Sequence, residues 1–216
     1  WPEYVRDLNG NLEKITMAPW AKILDSVCHK YQKIRYQDFP LEDKDASEII
    51  TIDHYATFAH YGSVLQREHY TNAAAGFLAM RLNNSKILIT RTGALVGNLS
   101  KDDLSVITNH SGHVVSWCGK HKPSSETPLA LDIFDNFPEA NVIIHGHCRD
   151  ITYSPKMVKY LSDEYLSYGQ WGEYIKITSL LREHNFAIMR LHGEIVIGKD
   201  FEEALNRYLE MYKKTL

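Results

Sequence analysis

Residues 141–147 read Asn-Val-Ile-Ile-His-Gly-His, so a run of apolar residues ends in two histidines separated by one glycine. A short apolar run of this kind is typical of a strand buried inside a sheet. Alternate residues of a strand point to the same face, and the imidazoles of His145 and His147 can therefore converge on one ion. Neutral imidazole is a common metal ligand. The stretch predicts a buried strand that ends in a divalent metal site.

Two histidines this close also arise by chance in a chain with 11 histidines, so further ligands matter. A catalytic zinc typically has three protein ligands and one open position. His192 is the candidate third ligand, and Glu126 offers a carboxylate upstream of the pair. Cys148 would point to the opposite face of the strand from His147 and is interpreted as a residue that packs beside the site.

Hydrophobic spacing and turn residues predict the other elements. The predicted helices cover residues 20–31, 55–69, 124–138 with a cap from Ser124-Ser125, and a C-terminal segment that Asp200 and Glu203 begin as a capping box. The predicted strands cover residues 77–82, 86–91, 141–147, 186–191 and 194–197, with a turn at 83–85. Residues 149–171 are expected to be partly helical.

Strands interleaved with helices indicate the α/β class, with a largely antiparallel sheet covered by helical layers. A chain of 216 residues with 44% hydrophobic residues is expected to form one sizeable core. Residues 1–50 are interpreted as an extension that packs on the domain or at a subunit interface. Residues 51–216 are then the domain itself.

Composition argues against several classes of partner. A net charge of −3 gives no electrostatic reason to expect binding to nucleic acid or to an anionic membrane. No apolar stretch reaches the length of about 18 residues that a membrane span needs. The three cysteines include no C-x-x-C pair, which argues against a disulfide framework and a thiolate zinc site. A cytoplasmic protein is expected.

Three segments carry a further signal: residues 89–93 read Ile-Thr-Arg-Thr-Gly, residues 122–147 join the paired serines to the two histidines, and residues 192–204 begin with His-Gly. From about residue 55 to its end, the chain resembles the class II aldolase/adducin family. The resemblance implies a three-layer α/β/α domain around an antiparallel sheet. It also implies a homotetramer whose sites lie between neighbouring subunits.

The family's metal site can be placed on this sequence residue by residue. Its three zinc-binding histidines fall on His145, His147 and His192, with one Zn²⁺ per subunit or another first-row divalent metal as the alternative. Its catalytic acid falls on Glu126. The zinc would act as a Lewis acid on the enediolate that forms when a carbon–carbon bond breaks beside a carbonyl, while Glu126 transfers protons.

The resemblance also implies a site for the anionic end of a small-molecule substrate. The residues predicted to bind it are Thr92, Gly93, Ser124, Ser125 and Arg91. Arg91 has two interpretations. It supplies positive charge to a phosphate or carboxylate of the substrate, or it is a solvated residue at a strand end. Residues 76–79 read Gly-Phe-Leu-Ala where the family has G-N-x-S, which removes an amide and a hydroxyl. The downstream Gly-Asn-Leu-Ser at 97–100 is interpreted as a turn and helix cap.

These features predict a zinc-dependent aldolase that cleaves a small sugar phosphate or a related hydroxy-carbonyl compound. A glutamate at 126, where the 4-epimerases carry aspartate, favours aldol cleavage or dehydration. The alternatives are a methylthioribulose-1-phosphate dehydratase-type lyase, a sugar-phosphate 4-epimerase and, in another class, a non-catalytic adducin-like scaffold. The retained histidines and Glu126 argue against the scaffold. The tyrosines between His147 and His192 give no assignable proton donor.

Overall fold

The computed structural model describes residues 4–6, 12–14, 37–41, 43–68, 75–82, 86–166 and 169–216. Its strands are β1 (Tyr4–Arg6), β2 (Leu12–Lys14), β3 (Gln37–Pro40), β4 (Phe77–Arg81), β5 (Ile87–Thr90), β6 (Leu104–Ser111), β7 (Val114–Cys118), β8 (Val142–Gly146), β9 (Leu161–Tyr165), β10 (Phe186–Arg190) and β11 (Gly193–Gly198). Within these described ranges, nine strands form one sheet in the order β3-β7-β6-β5-β4-β8-β11-β10-β9. The two edge pairings, β3 with β7 and β9 with β10, are parallel and the others are antiparallel.

Helices cover both faces of this sheet. They are α1 (Asp43–Ile49), α2 (Ile52–Arg67), α3 (Thr127–Asn136), α4 (Arg149–Thr152), α5 (Thr178–His184) and α6 (Phe201–Lys213), with short 3-10 helices between them. In the ranges that the structure describes, none of the helices is long and apolar enough to cross a membrane.

The sheet separates two apolar layers because successive strand residues point to opposite faces. On β8, Ile144 packs into one layer with Phe58 of α2 and Tyr208 of α6. Its neighbour Ile143 packs into the other layer with Phe134 of α3. Both layers consist of buried side chains with partly buried residues packed against them. The structure therefore confirms the predicted three-layer α/β/α class with a largely antiparallel sheet.

In the described part of residues 1–50, β1 and β2 pair antiparallel as a separate two-stranded sheet, whereas β3 and α1 contribute to the large sheet and its core. Strand β3 lies beside β7 at the sheet edge, and Ala46 and Ile50 are buried in the core layer of α2. The helix predicted over residues 20–31 lies outside the described residues. The division of the chain at residue 50 remains a prediction.

Most predicted elements occur where expected. The helix predicted from residue 55 begins at Ile52, because Thr51 accepts a hydrogen bond from the His54 amide and caps it. Its predicted end at residue 69 and the turn at 83–85 lie outside the described residues. The hairpin of β4 and β5 is confirmed. The Asp200 cap of α6 is confirmed, since Asp200 accepts from the Glu203 amide at 2.8 Å, but the Glu203 carboxylate accepts from the Lys199 amide and so does not complete the predicted capping box.

One prediction needs correction, and one strand was not predicted. The predicted serine cap of α3 is wrong, because the N-cap residue is Glu126. The Ser124 hydroxyl accepts a hydrogen bond from the Glu126 amide, which precedes the first residue of the helix. Residues 149–171 are partly helical as predicted, with α4 and a 3-10 helix, and they also contain β9, which was not predicted. Strand β9 escapes prediction because Leu161–Tyr165 has a polar, half-exposed sequence, and its position depends on parallel pairing with β10.

Candidate metal centre

Strand β8 brings His145 and His147 together at its C-terminal end. It lies between β4 and β11, where His145 is paired with Phe77 on one side and Ile195 on the other. The Nε2 atoms of the two histidines are 3.0 Å apart. His145 is fully buried, and its Nδ1 lies 2.8 Å from the backbone oxygen of Glu194. That hydrogen bond fixes the orientation of the ring and leaves Nε2 as the candidate ligand atom.

His192 reaches the same point from the turn between β10 and β11. The turn is closed by a hydrogen bond from the His192 amide to the Met189 oxygen at 3.0 Å. The ring centroid of His192 lies 5.1 Å from that of His145. A glycine is needed at position 193, because a Cβ atom there would overlap the backbone oxygen of Gly146 and crowd the rings of His145 and His147. Close approach of β8 and β11 therefore brings His192 to the other two histidines.

Glu126 completes the cluster from the start of α3. Its Oε2 lies 2.8 Å from His145 Nε2, and its Oε1 lies 2.9 Å from His192 Nε2. Ser124 shapes the turn before the helix, since its hydroxyl accepts from the Glu126 amide and its backbone oxygen accepts from the Thr127 hydroxyl. Burial would raise the pKa of the Glu126 carboxyl, but the imidazoles of His145 and His192 hold it well below its usual value.

Each of these four residues offers a ligand atom, and the four atoms lie within 4.8 Å of one another. Three imidazole nitrogens and one carboxylate oxygen are a ligand set that suits zinc or another first-row divalent ion. Three of the side chains are almost entirely buried, with 0% exposure for His145, 5% for His192 and 9% for Glu126. The residue types and their convergence fit a bound metal.

The residues predicted to bind the anion come from two neighbouring segments. The Thr92 amide donates to the Lys122 oxygen at 2.9 Å, and the Ser124 amide donates to the Thr90 oxygen at 3.0 Å. These bonds hold the Thr92-Gly93 turn beside the paired serines that lead to Glu126. Thr92 and Gly93 are exposed, whereas Ser124 is buried. The two segments therefore lie side by side, and an anion-binding role for Thr92, Gly93, Ser124 and Ser125 stays a prediction.

Arg91 lies next to these segments but points its guanidinium at a carboxylate. Its Nε donates to Asp103 Oδ1 at 2.6 Å, and its Nη1 donates to the Thr92 oxygen at 2.8 Å. Asp103 also accepts from the amide and hydroxyl of Ser100, each at 2.7 Å. The Gly-Asn-Leu-Ser segment at 97–100 is thus the turn and cap that the sequence predicts. An anion-binding role for Arg91 stays a prediction.

Residues 76–79 depart from the family's G-N-x-S pattern, and the structure shows what the changed residues contact. Phe77 is fully buried, and its ring centroid lies 5.3 Å from that of His145. The amide of Leu78 donates to the Thr90 hydroxyl at 3.3 Å. A hydrophobic side chain thus packs against the first histidine where the family pattern has a polar turn.

Sequence reasoning missed a buried polar group behind the histidines. The Glu194 carboxylate accepts hydrogen bonds from the Cys148 amide at 2.9 Å, the Thr152 hydroxyl at 2.8 Å and the Tyr208 hydroxyl. Burial raises the pKa of the Glu194 carboxyl. The signal was present in the sequence, since a glutamate begins the otherwise apolar run of β11. Cys148 is buried as predicted, and burial raises the pKa of its thiol to about 11.

Comparison with known proteins identifies the family. A family model described as "Class II Aldolase and Adducin N-terminal domain" matches residues 56–214. The chain belongs to this family. An L-fuculose phosphate aldolase of Methanococcus maripaludis is 27% identical over 154 residues, which cover 65% of this chain and 82% of that protein. A 3-oxo-tetronate 4-phosphate decarboxylase of Pectobacterium atrosepticum is 32% identical over 176 residues, which cover 72% and 79%.

Solved structures of class II aldolases share the fold. The L-fuculose-1-phosphate aldolase of Thermus thermophilus superposes with a TM-score of 0.61 at 18% identity, over 74% of this chain and 90% of that one. The decarboxylase relatives add a reaction that the sequence analysis did not consider. Both named reactions break a carbon–carbon bond, and the named relatives are lyases.

Proposed function

We propose that this chain is a metal-dependent carbon–carbon lyase that acts on a small, anionic hydroxy-carbonyl compound such as a sugar phosphate. The observation that supports it is the position of the Glu126 carboxylate, within 2.9 Å of the Nε2 atoms of both His145 and His192. A buried carboxylate, which is the proposed proton-transfer group, thus lies beside two of the proposed metal ligands. A scaffold has no need of this costly burial of a carboxylate among imidazoles.

The proposed ligands are His145, His147 and His192, with zinc or another first-row divalent ion as the metal. The bound ion would supply Lewis acidity, stabilising the negative charge that develops beside the substrate carbonyl when the bond breaks. His145 is buried whereas His147 and His192 are partly exposed residues, and the Thr92-Gly93 turn, which is hydrogen-bonded to the segment leading to Glu126, is exposed. We place substrate entry there.

Glu126 is the proposed acid and base. In the resting protein its carboxylate lies among the imidazoles, and substrate binding would release it to exchange a proton with a substrate hydroxyl or carbon. The pKa of the carboxyl is held low, so the residue rests in its basic form. Thr92, Gly93, Ser124 and Ser125 would receive the anionic end, through hydroxyls and through the backbone amides of the turn before α3.

Decarboxylation is the second candidate, and the 32% identity to the Pectobacterium decarboxylase favours it. In that reaction the bond to a carboxylate breaks, carbon dioxide leaves, and the electron pair moves to the neighbouring carbonyl. Glu126, which rests as a carboxylate, would first take up a proton from solvent and then donate it to the carbon that lost carbon dioxide. The two reactions therefore use the same residues and differ in the group that leaves.

Product analysis separates these reactions. Zn²⁺-loaded protein is incubated with L-fuculose 1-phosphate and, separately, with 3-oxo-tetronate 4-phosphate. Aldol cleavage gives two organic fragments, decarboxylation gives carbon dioxide and one shortened ketone, dehydration gives one lighter ketone, and epimerisation gives an isomer. Turnover should disappear in Glu126→Gln, which keeps the three histidines and therefore the metal. Full activity of chelator-treated protein, or of Glu126→Gln, would overturn the proposal.

We propose a homotetramer from the family resemblance and a cytoplasmic location from the cysteine content. Light scattering of the purified chain measures the first of these directly.

A further inference from the structure

Glu194 is a fully buried carboxylate at the start of β11, with 0% of its surface exposed. Residues 195–197 of the same strand are Ile-Val-Ile and are equally buried. A carboxylate removed from water costs several kcal/mol unless hydrogen bonds compensate. The presence of a glutamate therefore needs a reason beyond packing.

The contacts of Glu194 connect the strands that carry the histidines. Its Oε1 accepts from the Cys148 amide at 2.9 Å and from the Tyr208 hydroxyl of α6. Its Oε2 accepts from the Thr152 hydroxyl of α4 at 2.8 Å. Its backbone oxygen lies 2.8 Å from His145 Nδ1. One residue thus holds the His145 ring through its backbone and the chain that follows His147 through its side chain.

Glu194 contacts the residues on both sides of His147 in the chain. His147 lies between Gly146, whose Cα faces Glu194, and Cys148, whose amide Glu194 holds. Strand pairing places Glu194 opposite Gly146, two residues after His192. The Glu194 carboxylate therefore connects the segment carrying His147 with the strand that follows His192.

We propose that Glu194 is a positioning residue that orients His147 relative to His145 and His192 and so sets the affinity of the site for a divalent ion. The inference rests on the proposed metal centre. Groups that orient metal ligands typically change metal affinity 10- to 100-fold when they are replaced. Tyr208 and Thr152 act with Glu194, since their hydroxyls fix its two oxygens.

Metal titration of the full chain tests the inference. Co²⁺ is titrated into chelator-treated protein while its visible absorption is followed, and Zn²⁺ affinity is measured by competition with a chromophoric chelator. Glu194→Gln and Tyr208→Phe should each bind Zn²⁺ about 10- to 100-fold more weakly and shift the Co²⁺ absorption bands. Both variants keep the size of the side chain. Thermal unfolding of each metal-free variant measures the effect on folding separately.

Tyr55→Phe is the matched control. It removes a tyrosine hydrogen bond from α2 to the Leu99 oxygen, away from the histidines, and should leave Zn²⁺ affinity and the Co²⁺ bands unchanged. Unchanged affinity and bands in Glu194→Gln and Tyr208→Phe, with the parent binding metal, would overturn this inference alone. No Co²⁺ or Zn²⁺ binding by the parent would overturn the proposed metal centre together with it.

Discussion

The Nε2 atoms of His145 and His147 lie 3.0 Å apart at the end of β8. Two imidazoles that bind one zinc ion, each about 2.0–2.1 Å from it, place their ligand nitrogens at close to this separation. The strand period of two residues and the glycine between the histidines are sufficient to produce the pair. The third nitrogen and the carboxylate come from distant parts of the chain.

His147→Ala should abolish stoichiometric metal binding and turnover, because it removes one of three nitrogen ligands. We expect a loss of Zn²⁺ affinity of more than about 100-fold, larger than for groups that only orient ligands. Elemental analysis after dialysis measures the bound metal. His110→Ala, which removes an imidazole paired with Asp135 at 3.3 Å, is the control and should keep the metal. One equivalent of tightly bound metal in His147→Ala would contradict the ligand assignment.

Gly146→Ala should destabilise the protein because the added methyl group has no room. A Cβ atom at this position would overlap the Tyr208 hydroxyl oxygen and a carboxylate oxygen of Glu194. Overpacking of this kind costs about 1–3 kcal/mol of unfolding free energy. Chemical denaturation of metal-free protein measures it.

Tyr208→Phe in the Gly146→Ala background should recover part of that loss, since it deletes one of the overlapping oxygens. Equal stability of Gly146→Ala and the parent would show that β8 can move away from α6. That result would also argue against a rigid connection between Glu194 and the histidine strand.

The sequence predicts the β8 strand and the histidine pair because both depend on local periodicity. It equally predicts α6, whose cap and apolar spacing lie within one segment. The edge strands β3 and β9 could not be predicted in the same way, since their places depend on parallel pairing with β7 and β10. Local sequence carries little information about such long-range pairing.

The contacts of the polar residues in the site also depend on long-range pairing and were predicted only in part. The convergence of His192 and Glu126 on the pair followed from family resemblance and not from spacing. The pairing of Arg91 with Asp103 was missed. The sequence contains many carboxylates that could pair with an arginine at a strand end, and only the fold shows that Asp103 lies beside it. Glu194 was missed because its hydrogen bonds come from three separate elements.

Asp103→Asn should destabilise the protein at neutral pH and much less in acid. Burial would raise the pKa of the Asp103 carboxyl, but the hydrogen bonds from Ser100 and the Arg91 guanidinium bring it below its usual value. The unfolded pKa is about 3.9, so the stabilisation is present above that pH and is lost as the pH falls through the lower folded value. We expect a loss of about 1–3 kcal/mol at pH 7.

Unfolding of parent and Asp103→Asn between pH 7 and pH 3 measures this difference, which should shrink in the acidic range. Asp102→Asn is the adjacent control. Its carboxylate pairs with Lys120 at 2.6 Å, but both side chains are more than half exposed, and such pairs contribute little. A difference between parent and Asp103→Asn that stays constant down to pH 3 would show that Asp103 acts through packing alone.

Leu191→Asn should stabilise the metal-free protein. Leu191 directly precedes His192 and has a φ of 58°, a left-handed conformation that costs most L-residues about 1–2 kcal/mol and that asparagine adopts more readily. Its side chain is 46% exposed, so little apolar burial is lost by the change. We expect a gain of about 0.5–1 kcal/mol in unfolding free energy. Denaturant titration with a chelator present measures it, because metal binding would otherwise raise the measured unfolding free energy.

Asn185→Leu is the reciprocal control for the same backbone conformation. Asn185 ends α5 with a φ of 52°, and its amide donates to the Leu181 oxygen at 2.8 Å. Leucine there should destabilise the protein by about 1 kcal/mol, since the strain appears without any new contact. If Leu191→Asn were destabilising while Asn185→Leu behaved as expected, the Leu191 side chain itself would have to contribute to the turn. The left-handed turn before His192 would then be stabilised by leucine contacts and not merely tolerated.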